Sequence, residues 1–120
     1  MQRPIIFLAT DDQSFEETAI DVILDTCRGV RRAFGVRGAR RILAEDTSDI
    51  GLAIVDLDLE DRNFSLLRLL GGSEPAFPIL VVGNEQLLRG GGVFAKFAAA
   101  SIVKPVSSES LRQKIDELGG

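Results

Sequence analysis

Three apolar runs of the sequence each end in charged side chains. These are Pro4–Thr10 before Asp11 and Asp12, Ala53–Val55 before Asp56, and Ser101–Val103 before Lys104. Carboxylate oxygens are the ligands that Mg²⁺ prefers in proteins, and a lysine ammonium balances the negative charge of a transferring phosphoryl group. If the three runs end at a common edge, the sequence indicates a site for a divalent cation and a phosphoryl group.

The run before Asp56 is the best candidate for a central strand. Its residues Ala53–Val55 are apolar without alternation, which is typical of a parallel strand buried on both faces. An isolated carboxylate is costly inside such a sheet. Asp56 is therefore expected at the carboxyl end of its strand, where open α/β sheets bind their ligands.

The composition excludes several classes of function. The chain of 120 residues is 45% hydrophobic and 27% charged, which predicts a single globular domain over residues 1–120. It contains no histidine, so catalysis by imidazole and histidine-ligated metal sites are excluded. Its lone Cys27 excludes an internal disulfide, and no segment resembles a signal peptide or a membrane span. A cytoplasmic protein is predicted.

The charge distribution makes nucleic acid an improbable partner, with one local exception. The net charge is −4 and the sequence pI is about 4.8. Six arginines nevertheless lie close together without an intervening acid: Arg28, Arg31, Arg32, Arg37, Arg40 and Arg41. They indicate either an edge strand and helix protected from aggregation by charge or a docking patch for an acidic partner.

The remaining pattern predicts five strands, each followed by a helix. The strands are Pro4–Thr10, Val30–Val36, Leu52–Asp56, Ile79–Val82 and Ser101–Val103. The helices run from the Asp11–Ser14 loop to Gly29, over Gly38–Glu45, from Asn63 to Gly71, within Glu85–Ala100, and from Ser107 or Ser108 to Gly119. Right-handed crossovers then require a doubly wound, five-stranded parallel (βα)₅ sheet.

The fourth helix is expected to be broken, shortened or mobile. Three successive glycines at 90–92 interrupt it, and each costs about 1 kcal/mol relative to alanine in a helix. Phe94 and Phe97 follow these glycines and need cover, either in the core or from a partner. A homodimer through the Glu85–Val103 face is therefore a further prediction.

The order of the charged residues resembles the receiver domain of two-component response regulators. An acidic pair follows strand one, an aspartate ends strand three, and Lys104-Pro105 follows strand five, so the resemblance covers nearly the whole chain. It implies the flavodoxin-like strand order 2-1-3-4-5, with a site at the switch point between strands one and three. It also implies that signals arrive from a histidine kinase or a phosphotransfer protein and leave through contact with an output protein.

The same resemblance implies a role for each charged residue. Asp56 would be the phosphoacceptor, Asp11 and Asp12 would hold Mg²⁺ directly or through water, Asp58 would offer its backbone carbonyl to the metal, and Lys104 would pair with a phosphoryl oxygen. Elementary chemistry agrees, because crowded carboxylates repel an incoming phosphate until a cation relieves the repulsion. The plainer alternatives are a helix N-cap for the acidic pair and a solvated strand end for Lys104.

Three departures from the receiver pattern affect the switch that reads phosphorylation. Receivers usually carry a threonine or serine hydroxyl at the end of strand four, where this chain has Gly83, and an aromatic or similarly large residue where it has Ser101. Leu59-Glu60-Asp61 also replaces the usual Met-Pro-Gly. The sequence therefore keeps the residues of a phosphorylation site but lacks the residues that respond to phosphorylation in receivers.

Three functional hypotheses follow. The first is a receiver, not an enzyme, that is phosphorylated on Asp56. The second is a pseudo-receiver interaction module that works without phosphorylation through the arginine cluster or the Phe94/Phe97 segment. The third is a Mg²⁺-dependent phosphotransfer enzyme, because Asp56-Leu57-Asp58 matches the Asp-x-Asp of haloacid-dehalogenase phosphatases and Toprim nucleases, but neither family explains Lys104-Pro105.

Overall fold

In a computed structural model, the chain forms a five-stranded parallel sheet with the strand order β2-β1-β3-β4-β5, flanked by helices. The structure describes residues 4–26, 28–33, 35–45, 47–59, 65–72, 76–89 and 96–119. The strands are β1 (Ile5–Ala9), β2 (Gly29–Ala33), β3 (Ile50–Asp56), β4 (Ile79–Gly83) and β5 (Ala100–Val103). The helices are α1 (Gln13–Asp25), α2 (Gly35–Leu43), α3 (Ser65–Gly71), α4 (Glu85–Arg89) and α5 (Ser108–Gly119). The predicted doubly wound fold and strand order are confirmed.

Helices cover both faces of the sheet, and the central strand contributes to two cores. Ala53 and Val55 of β3 pack into the core under α2 and α3, while Leu52 and Ile54 pack under α1 and α5. All four side chains are fully buried. The apolar run without alternation is therefore the consequence of a strand that is covered on both sides.

The register of the strands sets which residues meet at the carboxyl edge. Ala9 of β1 pairs with Val55 of β3, so the residues that follow them, Thr10 and Asp56, are neighbours. On the other side of β3, Asp56 pairs with Val82 of β4. Asp56 therefore lies between two strands at the switch point, where the connections leave β1 and β3 in opposite directions.

The predicted boundaries around β2 were wrong. Helix α1 ends at Asp25, and Gly29, predicted to stop that helix, is the first residue of β2. The predicted strand also ran too far, because β2 ends at Ala33 and α2 begins at Gly35, whose φ of 73° favours glycine. The arginine-bearing strand does lie at the edge of the sheet, as predicted.

The aromatic residue Phe97 finds its cover inside the domain. It packs against the core beneath α3, and an ideal Cβ on Gly71 would lie 2.9 Å from its ring Cδ1. Phe94 and the glycines at 90–92 lie outside the described residues, as do Asn63 and Phe64 of the predicted third helix. Helix α4 is short, with five residues in Glu85–Arg89.

The last helix is capped as the sequence predicts. The Ser107 hydroxyl oxygen accepts a hydrogen bond from the backbone N–H of Ser110 at 3.1 Å, and Leu111 and Ile115 are fully buried on one face. Leu118 packs against the same core from a partly buried position. Within the described ranges, no helix has the length and apolar character needed to cross a membrane.

Candidate functional site

Asp56 is a fully buried carboxylate whose two oxygens both accept hydrogen bonds. It is the last residue of β3. Its Oδ1 accepts from the backbone N–H of Asp58 at 3.0 Å, and its Oδ2 accepts from Thr10 Oγ1 and Lys104 Nζ, each at 2.8 Å. A buried charge is costly unless it is paired and hydrogen-bonded, and Asp56 meets both conditions.

Lys104 joins the three carboxylates that converge at this edge. Its Nζ lies 2.8 Å from Asp56 Oδ2, 2.9 Å from Asp12 Oδ2 and 3.2 Å from Asp58 Oδ2. The backbone N–H of Lys104 donates to the carbonyl of Gly83 at 2.8 Å, which ties the lysine to the end of β4. Three carboxylates share one ammonium, so this carboxylate cluster of Asp12, Asp56 and Asp58 keeps an excess of negative charge.

The hydrogen bonds within the cluster shift two pKa values. Burial alone would lower the pKa of the Lys104 ammonium, but hydrogen bonds to Asp56, Asp12 and Asp58 outweigh it and raise that pKa above its ordinary value. The hydrogen bond from Lys104, followed by the one from the backbone N–H of Phe15, lowers the pKa of the Asp12 carboxyl. Both groups therefore carry their charges at neutral pH.

Asp12 has two structural roles at once. Its Oδ1 caps α1 by accepting the backbone N–H of Phe15 at 3.1 Å, while its Oδ2 accepts from Lys104. The N-cap alternative and the site role are thus compatible, because each uses a different oxygen. Asp11, by contrast, is exposed and makes no hydrogen bond or ion pair within the described part of the chain.

Thr10 belongs to the site although no motif or charge pattern selects it. Thr10 is fully buried, and its hydroxyl donates to Asp56 Oδ2 at 2.8 Å. The Thr10 Oγ1 atom also accepts a hydrogen bond from the backbone N–H of Asp12 at 3.0 Å. Because the hydroxyl oxygen is used as an acceptor, its single proton points to Asp56. Thr10 therefore links the start of α1 to the buried carboxylate. Its position after β1, level with Asp56 across the parallel register, is the signal that would have identified it.

Gly83 and Ser101, where the receiver pattern places its switch residues, have surroundings unlike those of the carboxylate cluster. Gly83 is buried at the end of β4, and an ideal Cβ there would lie 3.4 Å from Leu57 Cβ and 3.5 Å from Leu57 Cδ1. Leu57 is itself buried. Ser101 is exposed on β5. An apolar side chain therefore borders the space that a hydroxyl-bearing residue at 83 would enter.

The donors at this edge suit a hard cation, but they are arranged around Lys104. Carboxylate oxygens and an excess of negative charge are what Mg²⁺ requires. No three acidic side chains in the described ranges are arranged as a ready-made metal cluster. Asp12 and Asp56 instead direct one oxygen each to the lysine ammonium, and the other Asp56 oxygen accepts a single hydrogen bond.

Several solved structures similar to this chain are receiver domains of response regulators. The signal receiver domain of a response regulator from Bermanella marisrubri matches with a TM-score of 0.82 and 20% identity, over 99% of this chain and 100% of that one. The chemotaxis response regulator CheY4 of Vibrio cholerae matches with a TM-score of 0.80 and 17% identity, covering 98% and 99%. The non-phosphorylated HemR receiver domain from Leptospira biflexa is 24% identical with a TM-score of 0.79, covering 98% and 94%.

These similarities identify the fold. The chain covers only 25% of NtrX from Brucella abortus, which it matches with a TM-score of 0.79 and 16% identity. No protein-family model matches the chain, and no curated protein does. The fold is therefore that of a response-regulator receiver domain, with the strand order β2-β1-β3-β4-β5.

Proposed function

We propose that this protein is a phosphoacceptor receiver of two-component signalling, phosphorylated on Asp56 in a Mg²⁺-dependent reaction. One observation carries the proposal. The buried Asp56 carboxylate ends the central strand with the Lys104 ammonium 2.8 Å from its Oδ2. The phosphoryl donor is a histidine kinase or a phosphotransfer protein, and the signal passes on by contact with an output protein.

The contacts of Asp56 favour Oδ1 as the attacking oxygen. Oδ2 accepts two hydrogen bonds and Oδ1 accepts one, so the lone pairs of Oδ1 are more available. Attack forms the Oδ1–phosphorus bond, while the bond between phosphorus and the donor's imidazole nitrogen breaks and its electron pair stays on that nitrogen. Lys104 then balances the negative charge that spreads over the phosphoryl oxygens.

The residues that would hold Mg²⁺ follow from the donor chemistry and the receiver resemblance. Asp12 and Asp56 supply carboxylate oxygens, Asp11 contributes directly or through water from its exposed position, and Asp58 offers its backbone carbonyl. When bound, the ion would neutralise the charge of these groups and of the phosphoryl oxygens. Lys104 would then be released from part of its contact with Asp12, so that its ammonium is available to the phosphoryl group.

Intact-mass measurement tests this proposal directly. The parent protein is incubated with acetyl phosphate and Mg²⁺, beside the Asp56→Asn variant and a sample with excess chelator. One phosphoryl group is expected on the parent and none on the other two samples, and Lys104→Ala should slow the gain. A parent that gains no mass, an adduct that persists in Asp56→Asn, or peptide mapping that places it on Asp58 would each overturn the proposal.

A second candidate function is a pseudo-receiver that binds partners without phosphorylation. The lack of a side chain at Gly83 favours it, because a glycine has no hydroxyl to be drawn toward a phosphoryl group, and the nearest atoms to a Cβ placed there belong to the apolar Leu57. The same mass measurement separates the two candidates. Dimerisation through the Glu85–Val103 face, on which Val103 is 47% exposed, stays a prediction for sedimentation velocity to test.

A further inference from the structure

The arginine cluster divides into two groups with different surroundings. The arginines that precede and form β2 all have acidic partners, as expected for an edge strand that carries charge against aggregation. The distance from guanidinium nitrogen to carboxylate oxygen is 4.0 Å between Arg28 and Asp116. It is 3.0 Å between Arg31 and Asp49, and 3.4 Å between Arg32 and Glu16. The first interpretation of the cluster therefore explains this half of it.

The arginines of α2 have no such partners. Arg37, Arg40 and Arg41 are exposed, and their spacing of three and four residues places them along one side of the helix. Arg68 on the neighbouring α3 is exposed as well. Within the described part of the chain, none of the four forms an ion pair or a side-chain hydrogen bond. On a protein with a net charge of −4, these four arginines thus form a positive surface without ion-pair partners among the described residues.

Two of these arginines flank an apolar groove between α2 and α3. Its lining residues are Arg40, Leu43, Ala44, Arg68 and Leu69, around a volume of about 530 Å³. Leu69 is 42% exposed, which is unusual for a large apolar side chain in this domain. The described lining residues therefore combine three apolar side chains with two cations and include no acid.

We propose that this α2–α3 groove docks an acidic amphipathic helix of a partner protein. Leu43, Ala44 and Leu69 would receive the apolar side of the helix, and Arg40 and Arg68 would pair with carboxylates along its edges. An amphipathic helix laid in an apolar groove is a recurrent mode of recognition. With nine residues, α2 is roughly 13 Å long at about 1.5 Å per residue, which matches two to three turns of a partner helix.

Charge complementarity favours this occupant over a second copy of the chain. One acidic stripe on the domain itself is formed by Glu17, Asp21 and Asp25 on α1, and Asp25 already pairs with Arg112 at 2.6 Å. Docking α1 of one copy into the α2–α3 groove of another would also be a head-to-tail contact, which forms open assemblies unless its rotation closes a ring. The proposal does not depend on phosphorylation of Asp56.

A designed peptide tests the proposal by NMR titration of the uniformly ¹⁵N-labelled protein. The probe is an N-acetylated, C-amidated helical peptide of alanine, leucine and glutamate, with leucines spaced three and four residues apart, and its counterpart has lysine in place of each glutamate. The acidic peptide is expected to shift the amide signals of Leu43, Ala44 and Leu69. Replacing both groove arginines (Arg40→Gln with Arg68→Gln) should weaken its binding at least tenfold.

A matched variant isolates the effect of position from that of total charge. Arg89→Gln combined with Arg112→Gln removes two exposed arginines from other surfaces, and should bind the acidic peptide as tightly as the parent. Equal binding of the lysine peptide, equal weakening by both double variants, or an absence of binding would overturn the proposal. So would arginine-dependent binding to phosphatidylserine vesicles instead of the peptide, or self-association lost in the Arg40/Arg68 variant.

Discussion

The carboxyl ends of β1 and β3 differ sharply from the carboxyl end of β4. At the first two, Thr10 and Asp56 belong to a hydrogen-bond network in which both oxygens of the buried Asp56 carboxylate accept hydrogen bonds. At the end of β4, Gly83 offers no side chain, and Leu57 borders the space. The half of the edge around Thr10 and Asp56, called the acceptor half after the proposed role of Asp56, is therefore built from charged and hydrogen-bonded groups, and the adjoining half at the end of β4 from apolar packing.

The two halves should therefore tolerate substitutions differently, because one depends on charge pairing and the other on apolar packing. Removing one partner of a buried ion pair leaves an uncompensated charge, so the acceptor network resists piecemeal change. At the end of β4, by contrast, the nearest atoms to an added Cβ at Gly83 belong to the apolar Leu57, so substitutions there change packing rather than charge pairing.

The largest expected effect is on the acceptor half, in Lys104→Met. This change removes the ammonium that lies 2.8 Å from the buried Asp56 carboxylate. An uncompensated buried charge costs about 3–5 kcal/mol, so the free energy of unfolding should fall by about that amount in urea denaturation. Adding Asp56→Asn to Lys104→Met should recover part of the loss.

The matched control is Lys114→Met, because Lys114 forms an ion pair with Glu117 at 3.4 Å on the exposed side of α5. Surface pairs contribute about 0–1 kcal/mol, so this variant should lie close to the parent. Equal effects of the two lysine substitutions would mean that Lys104 does not compensate the buried Asp56.

The next largest effect is expected for Thr10→Val, which removes the hydroxyl while nearly preserving the shape of the side chain. A hydrogen bond to a charged group contributes about 1.5–3 kcal/mol, and that loss should appear in the free energy of unfolding. Thr10→Ser keeps the donor to Asp56 and should retain most of the stability. If the valine and serine variants are equally unstable, packing of the methyl group matters more than the hydroxyl.

On the β4 side, Gly83→Thr should destabilise by overpacking. A Cβ at 83 would lie 3.4 Å from Leu57 Cβ, at the short end of ordinary van der Waals contact, so the further atoms of threonine would have to fit beside Leu57. The expected cost is about 1–3 kcal/mol. Leu57→Ala should relieve it, so a double-mutant cycle in urea denaturation should give a favourable coupling energy. Strictly additive effects would show that Leu57 does not limit the space at 83.

The fold could be predicted because its strands are covered on both faces. Burial leaves β3 and β4 as continuous apolar runs that are visible in the sequence, and the required right-handed crossovers order them. The edge strand β2 carries arginines and lacks such a run, so its boundaries were misplaced by up to three residues at its carboxyl end. There, the turn depends on the backbone conformation of Gly35, which no hydrophobic pattern reveals.

Only the charged residues of the site could be predicted from the sequence. Lys104, Asp12 and Asp56 meet as expected, since each follows a strand whose end lies at the same edge. Thr10 was missed because a single threonine after a strand carries no distinctive pattern, and its role depends on the register of β1 against β3. The contact between Leu57 and Gly83 was missed for the same reason, as it depends on the turn after β3.

The smallest expected effect is a pH dependence that comes from Asp12. Lys104 lowers the pKa of this carboxyl in the folded state, so the charged form stabilises the fold above its ordinary value of 3.8, and that stabilisation is lost as the pH falls through the folded-state value. Asp12→Asn keeps an N-cap acceptor for α1 but removes the charge. Because the Asp12 side chain is 37% exposed, the difference in unfolding free energy between parent and variant should be about 1 kcal/mol or less at pH 7. This difference should be unchanged down to about pH 5 and shrink at pH values below 3.8.

The control for this pH dependence is Asp25→Asn, which alters an exposed ion pair with Arg112. A parent–variant difference that is the same at pH 7 and pH 3 would mean that the Lys104–Asp12 contact does not stabilise the acceptor half of the edge.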